Sequence, residues 1–403
     1  MLDQKTIEIV KSTVPVLEQH GEAITTKFYQ LMFGNHPELL NIFNHANQKQ
    51  GRQQRALASA VYAAAAYIDN LEAILPVVKQ IAHKHRSLGI KPEHYPIVGK
   101  HLLLAIKDVL GDAATDEIID AWAKAYGVIA DAFIGVEAEM YAEAKNQKGG
   151  WEDFRRFIVD KKIAESDVIT SFYLKPVDHK PIADFRPGQY ISIKLEIEGE
   201  KFTHIRQYSL SDAPGKDYYR ISVKREAGML NPDGKVSNYL HDSVEEGEIL
   251  QISAPAGDFV LDTNKETPVV LLSGGVGLTP MMSMLKTVVD VQPERKVTFI
   301  HAAQNGNVHA LRDEVEELAQ LENVTSYFFY DSPTEEDREN NRFDVEGYVT
   351  RQWLEEKVPV GEADFYFCGP VPFMKAINGF LLDLGVNEDR IHFEFFGPKA
   401  ALV

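Results

Sequence analysis

Three domains in series are what the sequence predicts: an all-α domain over residues 1–147, an antiparallel β-barrel over 148–264, and an α/β domain with a parallel sheet over 265–403. The first observation behind this is proline. Only five of the nineteen prolines fall in residues 1–150, so long helices can run there unbroken. The second is hydrophobic periodicity, which is helical in the first third and alternates by twos from about residue 151. Tyr190–Leu195 and Tyr219–Lys224 alternate in this way, bounded by Pro187-Gly188 and Asp212-Ala213-Pro214-Gly215, as short antiparallel strands do. The third is a change of texture from Pro268 onward. Apolar strands at 269–272, 297–300 and 364–367 alternate with helical runs, which implies a parallel sheet covered on both faces. A chain of 403 residues has room for this at roughly 150 residues per domain.

Within the first domain, Ile7, Val10, Val14 and Leu17 mark one amphipathic face, Val98, Leu102, Ile106 and Val109 a second, and Trp122, Tyr126, Ile129 and Phe133 a third. The polar run Asn146-Gln147-Lys148-Gly149-Gly150 closes the helical region as a linker. Among thirteen histidines, His85 shares a helix face with Ile74, Val78 and Ile81, whereas His83 points elsewhere. A lone inward imidazole is ordinarily a hydrogen-bonded core residue. Its companions shift the reading. Gln53 lies in the apolar stripe of Leu57, Val61, Ala64 and Ile68 on a helix over 52–68, where a buried amide needs a partner. Tyr29 carries a hydroxyl into the apolar run 28–32, and Phe43 stands at a helix corner before Gln53.

In this order, Phe43 at the corner, Gln53 and Leu57 on one helix and His85 on the next, residues 1–145 resemble a globin. The resemblance implies a b-type haem between the Gln53 and His85 helices, with His85 on iron and Tyr29 and Gln53 facing bound oxygen. Gln53 replaces the distal histidine of oxygen-storage globins. Tyr95 shares a face with Val98 and Leu102, and Glu137 one with Tyr126, Ala130 and Phe133, positions where storage globins would be apolar. A carboxylate so placed needs donors, which His85 and Tyr95 can supply. Accepting from the non-ligating nitrogen of His85, it would make the imidazole a stronger electron donor to iron and favour oxygen chemistry over reversible storage. The alternative is that Glu137 reaches solvent at a helix edge.

In the second domain, Arg206-Gln207-Tyr208-Ser209 puts a guanidinium and an aromatic ring on one strand face. They can touch an extended ligand at a pyrophosphate and at a flat ring, with the Ser209 hydroxyl beside the ring. An ordinary cross-strand Arg–Tyr pair would look the same, so the neighbours decide. Upstream, residues 185–190 supply a turn and a further aromatic, Tyr190. Downstream, residues 231–240 bring Gly234 and Ser237, the latter read as the N-cap, to a helix start suited to an anion. Together these resemble the FAD-binding barrel of the ferredoxin–NADP reductase family.

In the third domain, Gly274-Gly275-Val276-Gly277-Leu278-Thr279-Pro280 follows an apolar strand and opens a helix. Pro280 stands where G-x-G-x-x-G needs its third glycine, so a Rossmann dehydrogenase does not fit. The same residues resemble the reductase family's turn, whose backbone a pyrophosphate approaches, and Cys368-Gly369-Pro370 resembles its nicotinamide-side motif. No arginine for a 2′-phosphate follows the second strand before Arg312, so NADH is expected ahead of NADPH. At the C-terminus Glu394-Phe395-Phe396-Gly397-Pro398 resembles the family's tail, which implies an aromatic over the flavin and an acid tuning its potential.

Along the whole chain these features resemble the flavohaemoglobin family. The resemblance implies an NAD(P)H-dependent nitric oxide dioxygenase that converts NO and O2 to nitrate at a haem re-reduced through FAD, with Lys84 beside His85 able to bias the haem potential. A haem oxygen carrier or sensor with its own reductase, and a flavin reductase for other acceptors, remain open. One cysteine, Cys368, cannot make an internal disulfide, an iron–sulfur cluster or a c-type haem attachment. Flavin-to-haem transfer is therefore expected to be direct, with no separate electron-transfer protein. Sixty acidic against 42 basic residues give a net charge of −18, which repels nucleic acid and anionic lipid. Thr267–Leu285 is uncharged, but Gly274, Gly275, Gly277 and Pro280 interrupt it as a membrane span. Met1-Leu2-Asp3-Gln4 lacks a basic n-region, and a cytoplasmic location is expected.

Overall fold

Helices α1 (Gln4–Ser12), α2 (Val14–Asn35), α3 (His45–Lys49), α4 (Arg52–Ala66), α5 (Leu75–Leu88), α6 (His94–Leu110) and α7 (Asp116–Asn146) make up the first part of the computed structural model. It describes residues 2–226 and 234–397. Side chains cap the helices where the sequence offers them: Asp3 accepts from the Thr6 amide at the start of α1, and Thr115 from the Ile118 amide at the start of α7. Pro76 in the first turn of α5 starts that helix at Leu75, which leaves Ile74 in the preceding 3-10 turn Leu71–Ile74 rather than on the His85 helix. α4 ends at Ala66, so Ile68 reaches the core from the turn that follows. That core joins Val10, Ile24, Phe28 and Met32 to Leu102, Ile106 and Trp122.

Two compact units emerge, one spanning Met1–Phe154 with Lys194–Arg206, the other Arg155–Ile193 with Gln207–Phe396. Strands β1 (Phe154–Ala164), β2 (Ile169–Pro176), β3 (Tyr190–Leu195), β4 (His204–Ser209), β5 (Tyr219–Lys224) and β6 (Ile249–Ser253) form a six-stranded sheet in the order β4-β3-β6-β1-β2-β5. β2 runs antiparallel to both β1 and β5. A bridge between Leu210 and Ile221 ties the two outer strands and closes the barrel. The polar positions of the alternating strands are not solvated: Ser192, Arg220 and Ser222 are all buried. The reason is a covered second face. Ser222 shares hydroxyl hydrogen bonds with Ser171 (2.8 Å) and Ser211 (2.9 Å). Arg220 meets Glu314 at 2.5 Å, and Lys286 bridges Glu314 (2.8 Å) and Asp212 (2.9 Å).

The same unit holds β7 (Val269–Gly274), β8 (Val297–Ala303), β9 (Val324–Tyr330), β10 (Val345–Glu346), β11 (Asp364–Cys368) and β12 (Ile391–Glu394), all parallel, in the order β10-β9-β8-β7-β11-β12. α8 (Lys235–Asp242) belongs to the barrel, and α9 (Leu278–Val291), α10 (Arg312–Leu318), α11 (Glu335–Glu339), α12 (Arg351–Lys357) and α13 (Val371–Asp383) to the parallel sheet. Each strand feeds two cores by strict alternation. Val269, Leu271, Phe299, Tyr366 and Cys368 join α9 on one face, while Val270, Leu272, Ile300, Phe365 and Phe367 join α13 on the other. From β7 the chain builds outward to β10, then returns to lay β11 on the opposite side. The crevice at the carboxyl ends of β7 and β11 is therefore the topological switch point, where such sheets bind ligands. No helix among the described residues is long and apolar enough to cross a membrane. The uncharged stretch 267–285 is β7, its turn and most of α9.

Candidate functional site

In the helical unit, α5, α6 and α7 each contribute one polar side chain to a single cluster. Glu137, 3% exposed, accepts from the Tyr95 hydroxyl at 2.6 Å and lies 2.7 Å from His85 Nδ1. Tyr95 and His85 are themselves 3.3 Å apart, and the Phe133 ring faces both. A carboxylate this deep would be costly without donors, and here it has two. Because the carboxylate accepts, Nδ1 carries the imidazole proton and Nε2 presents its lone pair. Burial, reinforced by the Glu137 carboxylate, pushes the Tyr95 phenol well above its ordinary range, so it remains a donor. The His85 side chain is 32% exposed, an imidazole held from behind and open in front. That is the donor set an axial haem ligand requires. Tyr126 donates to the Tyr95 carbonyl at 2.6 Å and steadies α6.

Tyr29 on α2 is 5% exposed, stacked on Phe33 at 5.6 Å and edge-on to Phe43 at 5.8 Å. Burial pushes its phenol up, and side-chain hydrogen bonds from Gln53 and then Gln48 oppose that rise. The hydroxyl stays protonated beside two amides. Phe43 and Leu57 are partly buried against the helical core. Gln48, on the short helix α3, escaped the sequence reading because the polar stretch 44–50 carries no periodicity that marks an inward residue. Lys84 is half-buried next to His85. One position along a helix turns a side chain through about 100°, so the two leave α5 in different directions.

In the barrel, Arg206 and Tyr208 are half-buried two residues apart on β4, with Ser209 buried and Tyr190 9% exposed on β3. Gln207 Nε2 donates to Ser192 Oγ at 3.3 Å. Ser237 is not the N-cap. Gly234 takes that position, and Ser237 lies inside the first turn of α8, where its hydroxyl donates to the Gly234 carbonyl (3.0 Å) and accepts from the Glu226 amide (3.2 Å). Asn231, Pro232 and Asp233, just upstream in the sequence, lie outside the described residues.

At the switch point the turn 274–277 leads into α9, with Leu278 and Thr279 buried and the Thr279 hydroxyl donating to the Val276 carbonyl at 3.2 Å. A side chain at Gly277 would collide with the Cys368 carbonyl, and one at Gly369 with the Phe373 ring and the Gly274 backbone. Only glycine allows these two turns to interlock. Cys368 is fully buried opposite Glu394 in the β11–β12 register; burial first, and the Glu394 charge second, push its thiol up and keep it un-ionised. Phe395 packs on Phe393 at 5.7 Å, Phe396 is 47% exposed, Gly397 follows, and Pro398 lies outside the described residues. Nothing in the sequence flagged His301 and His309, whose rings meet at 4.4 Å, tilted by 37°, in this lobe. Their Nδ1 atoms meet the hydroxyls of Ser273 and Tyr330, both at 2.8 Å.

A helical domain with one backed imidazole, an antiparallel barrel and a parallel nucleotide sheet define a class: a haem oxidoreductase that carries its own flavin and nicotinamide modules. Comparison with known families agrees segment by segment. Residues 26–133 match the Globin family, 156–261 the oxidoreductase FAD-binding domain, and 271–379 the oxidoreductase NAD-binding domain. The flavohemoprotein of Bacillus thuringiensis subsp. konkukian is 64% identical over 403 residues, the whole of both chains. That of Bacillus subtilis is 60% identical over 402 residues, covering 100% of this chain and 99% of its own. The crystal structure of a flavohemoglobin from Malassezia yamatoensis with bound FAD and heme superposes with a TM-score of 0.85 at 29% identity, over 98% of this chain and all of that one. The chain belongs to the flavohemoprotein family.

Proposed function

We propose that this protein is an NAD(P)H-dependent nitric oxide dioxygenase, with NADH preferred, which acts in the cytoplasm and converts NO and O2 to nitrate without a separate electron-transfer protein. The observation that carries the reading is the buried Glu137 carboxylate against His85 Nδ1 at 2.7 Å, which suits oxygen chemistry rather than storage. In support, the FAD/NAD-binding domain of a nitric oxide dioxygenase from Vibrio cholerae is 40% identical over 61% of this chain and all of that one, with a TM-score of 0.56. Domain limits at 147 and 264 are supported by the three matched segments, each of which falls inside one domain.

When bound, haem supplies the oxygen chemistry, and FAD with NADH supplies the electrons. His85 Nε2 would hold the haem iron, with Glu137 keeping the proton on Nδ1 and Tyr95 holding Glu137. Tyr29 would donate a hydrogen bond into the distal space, with Gln53 orienting its hydroxyl, an arrangement suited to stabilising negative charge there. Phe43 and Leu57 exclude water, and Lys84 places a positive charge beside the proximal helix. In the barrel, Arg206 would pair with the flavin pyrophosphate, Tyr190, Tyr208 and Ser209 would line the ring, and Gln207, Gly234 and Ser237 would shape the site. Gly274, Gly275, Val276, Gly277, Leu278 and Thr279 receive the nicotinamide nucleotide's pyrophosphate. Cys368 and Gly369 would flank its ring, and Glu394, Phe395, Phe396 and Gly397 would lie on the flavin side; Pro398, expected beside them, lies outside the described residues.

Purified protein given NADH, NO and air should form one nitrate per NO consumed, with two NO removed per NADH. Release of intact O2 without nitrate would refute the assignment.

A further inference from the structure

The end of the His85 helix is gripped from two sides. α5 closes on Gly89 in the left-handed conformation (φ 78°); there Ile90 N donates to the His85 carbonyl (3.0 Å) and Gly89 N to that of Arg86 (3.2 Å). The Ile90 carbonyl in turn accepts from the Tyr141 hydroxyl on α7 at 2.7 Å. Tyr141 lies one turn beyond Glu137, so the helix that backs the imidazole also holds the wrap behind it. The next residue, Lys91, lays its ammonium over the Tyr141 ring, 4.5 Å from the centroid. The same ammonium pairs with Asp153 (2.5 Å) and Glu152 (3.4 Å) at the end of the linker, and Glu152 is held a second time by Lys145 on α7 (3.0 Å). Asp153 sits at φ 58°, a conformation that residues with a Cβ keep only where their surroundings impose it.

We propose that Tyr141 and Lys91 are positioning residues for His85: they fix the height and rotation of the proximal helix through its C-terminal wrap, with Glu152 and Asp153 of the linker as the anchor. His85 lies in the last turn of α5, where a helix otherwise frays, and its carbonyl is the one that Ile90 holds. A wrap that opens lets the imidazole tilt away from Glu137. The inference rests on the reading of His85 as the axial ligand.

The test uses the full-length holoprotein. In Tyr141→Phe, amide exchange at Gly89 and Ile90 should quicken roughly fivefold, the loss of one neutral hydrogen bond. The ferrous iron–histidine stretching band should shift or broaden in both Tyr141→Phe and Lys91→Met, and Lys91→Arg, which keeps the ion pairs and the cation on the ring, should restore it. Lys91→Met carries the test alone should Tyr141→Phe not fold. Faster exchange with an unchanged band in every variant would reduce the wrap to a purely structural role and overturn the proposal. Unchanged exchange would overturn the anchor itself. The exchange measurement needs no haem, so its outcome is separable from any failure of the ligand assignment, which His85→Ala tests directly.

Discussion

Glu137→Gln keeps the shape of the side chain and removes one charge at a site only 3% exposed, where solvent screens little. In the native protein His85 Nδ1 donates to a carboxylate at 2.7 Å; in the variant it donates to a neutral amide oxygen. Charge-assisted hydrogen bonds are worth about 1.5–3 kcal/mol against about 1 kcal/mol for neutral ones, so the exchange weakens the contact by roughly 0.5–2 kcal/mol. The extra positive charge of oxidised iron would be the one the carboxylate favours through His85, so the loss should fall mainly on the ferric state. At about 59 mV per factor of ten for one electron, the haem potential should rise by roughly 20–85 mV. Spectroelectrochemical titration measures this directly, and resonance Raman should show the iron–histidine stretch moving to lower frequency. NO dioxygenation should slow, while reduction of FAD by NADH should keep its rate. A potential and a stretching frequency that both match the parent would refute the argument that the carboxylate acts through His85.

Tyr29→Phe removes a donor to a partly ionic ligand, worth about 1.5–3 kcal/mol, so oxygen should leave roughly tenfold faster or more in stopped-flow experiments; an unchanged rate would return Tyr29 to the ordinary aromatic core. His85→Ala should bind FAD and oxidise NADH with an artificial acceptor yet hold little haem, and His83→Ala should hold haem normally. A full complement of haem in His85→Ala would remove His85 as ligand. Burial holds His301 down to about 3 and His309 well below its ordinary value, while in the unfolded chain both titrate near ~6.5. The unfolded chain then binds more protons, so stability is full above about pH 6.5 and falls below it, roughly tenfold in the folded ratio per pH unit for each imidazole. Urea midpoints at pH 7 and pH 5, followed by flavin release, should show this slope, and His301→Gln should flatten it; equal slopes would disprove the linkage.

Much of the fold was legible because local and global signals coincide. β3 and β5 begin and end where the alternation does, since proline and glycine turns bound them. The cluster of His85, Tyr95 and Glu137 could be anticipated because helical spacing tells which residues share a face, and a buried carboxylate demands donors. Alternation does not say whether the second face of a strand is covered, which is why the burial of Ser192 and Arg220 was invisible. Ser237 and Gly234 are both acceptable caps by type, and only the hydroxyl's bond back to the Gly234 carbonyl separates them. His301 and His309 meet across a strand end and a loop, a contact that no periodicity encodes.

The interlock between the turn after β7 and the turn after β11 bears on how a nucleotide arrives. Because the Cys368 carbonyl fills the space that a side chain at Gly277 would occupy, and the Gly274 backbone fills that beside Gly369, neither turn can shift without the other. On the proposed function, the two halves of the nucleotide seat are locked together by the protein's own backbone. Little conformational entropy is left to lose on binding. Differences in affinity among nicotinamide nucleotides should therefore lie in how long each stays rather than in how quickly each lands.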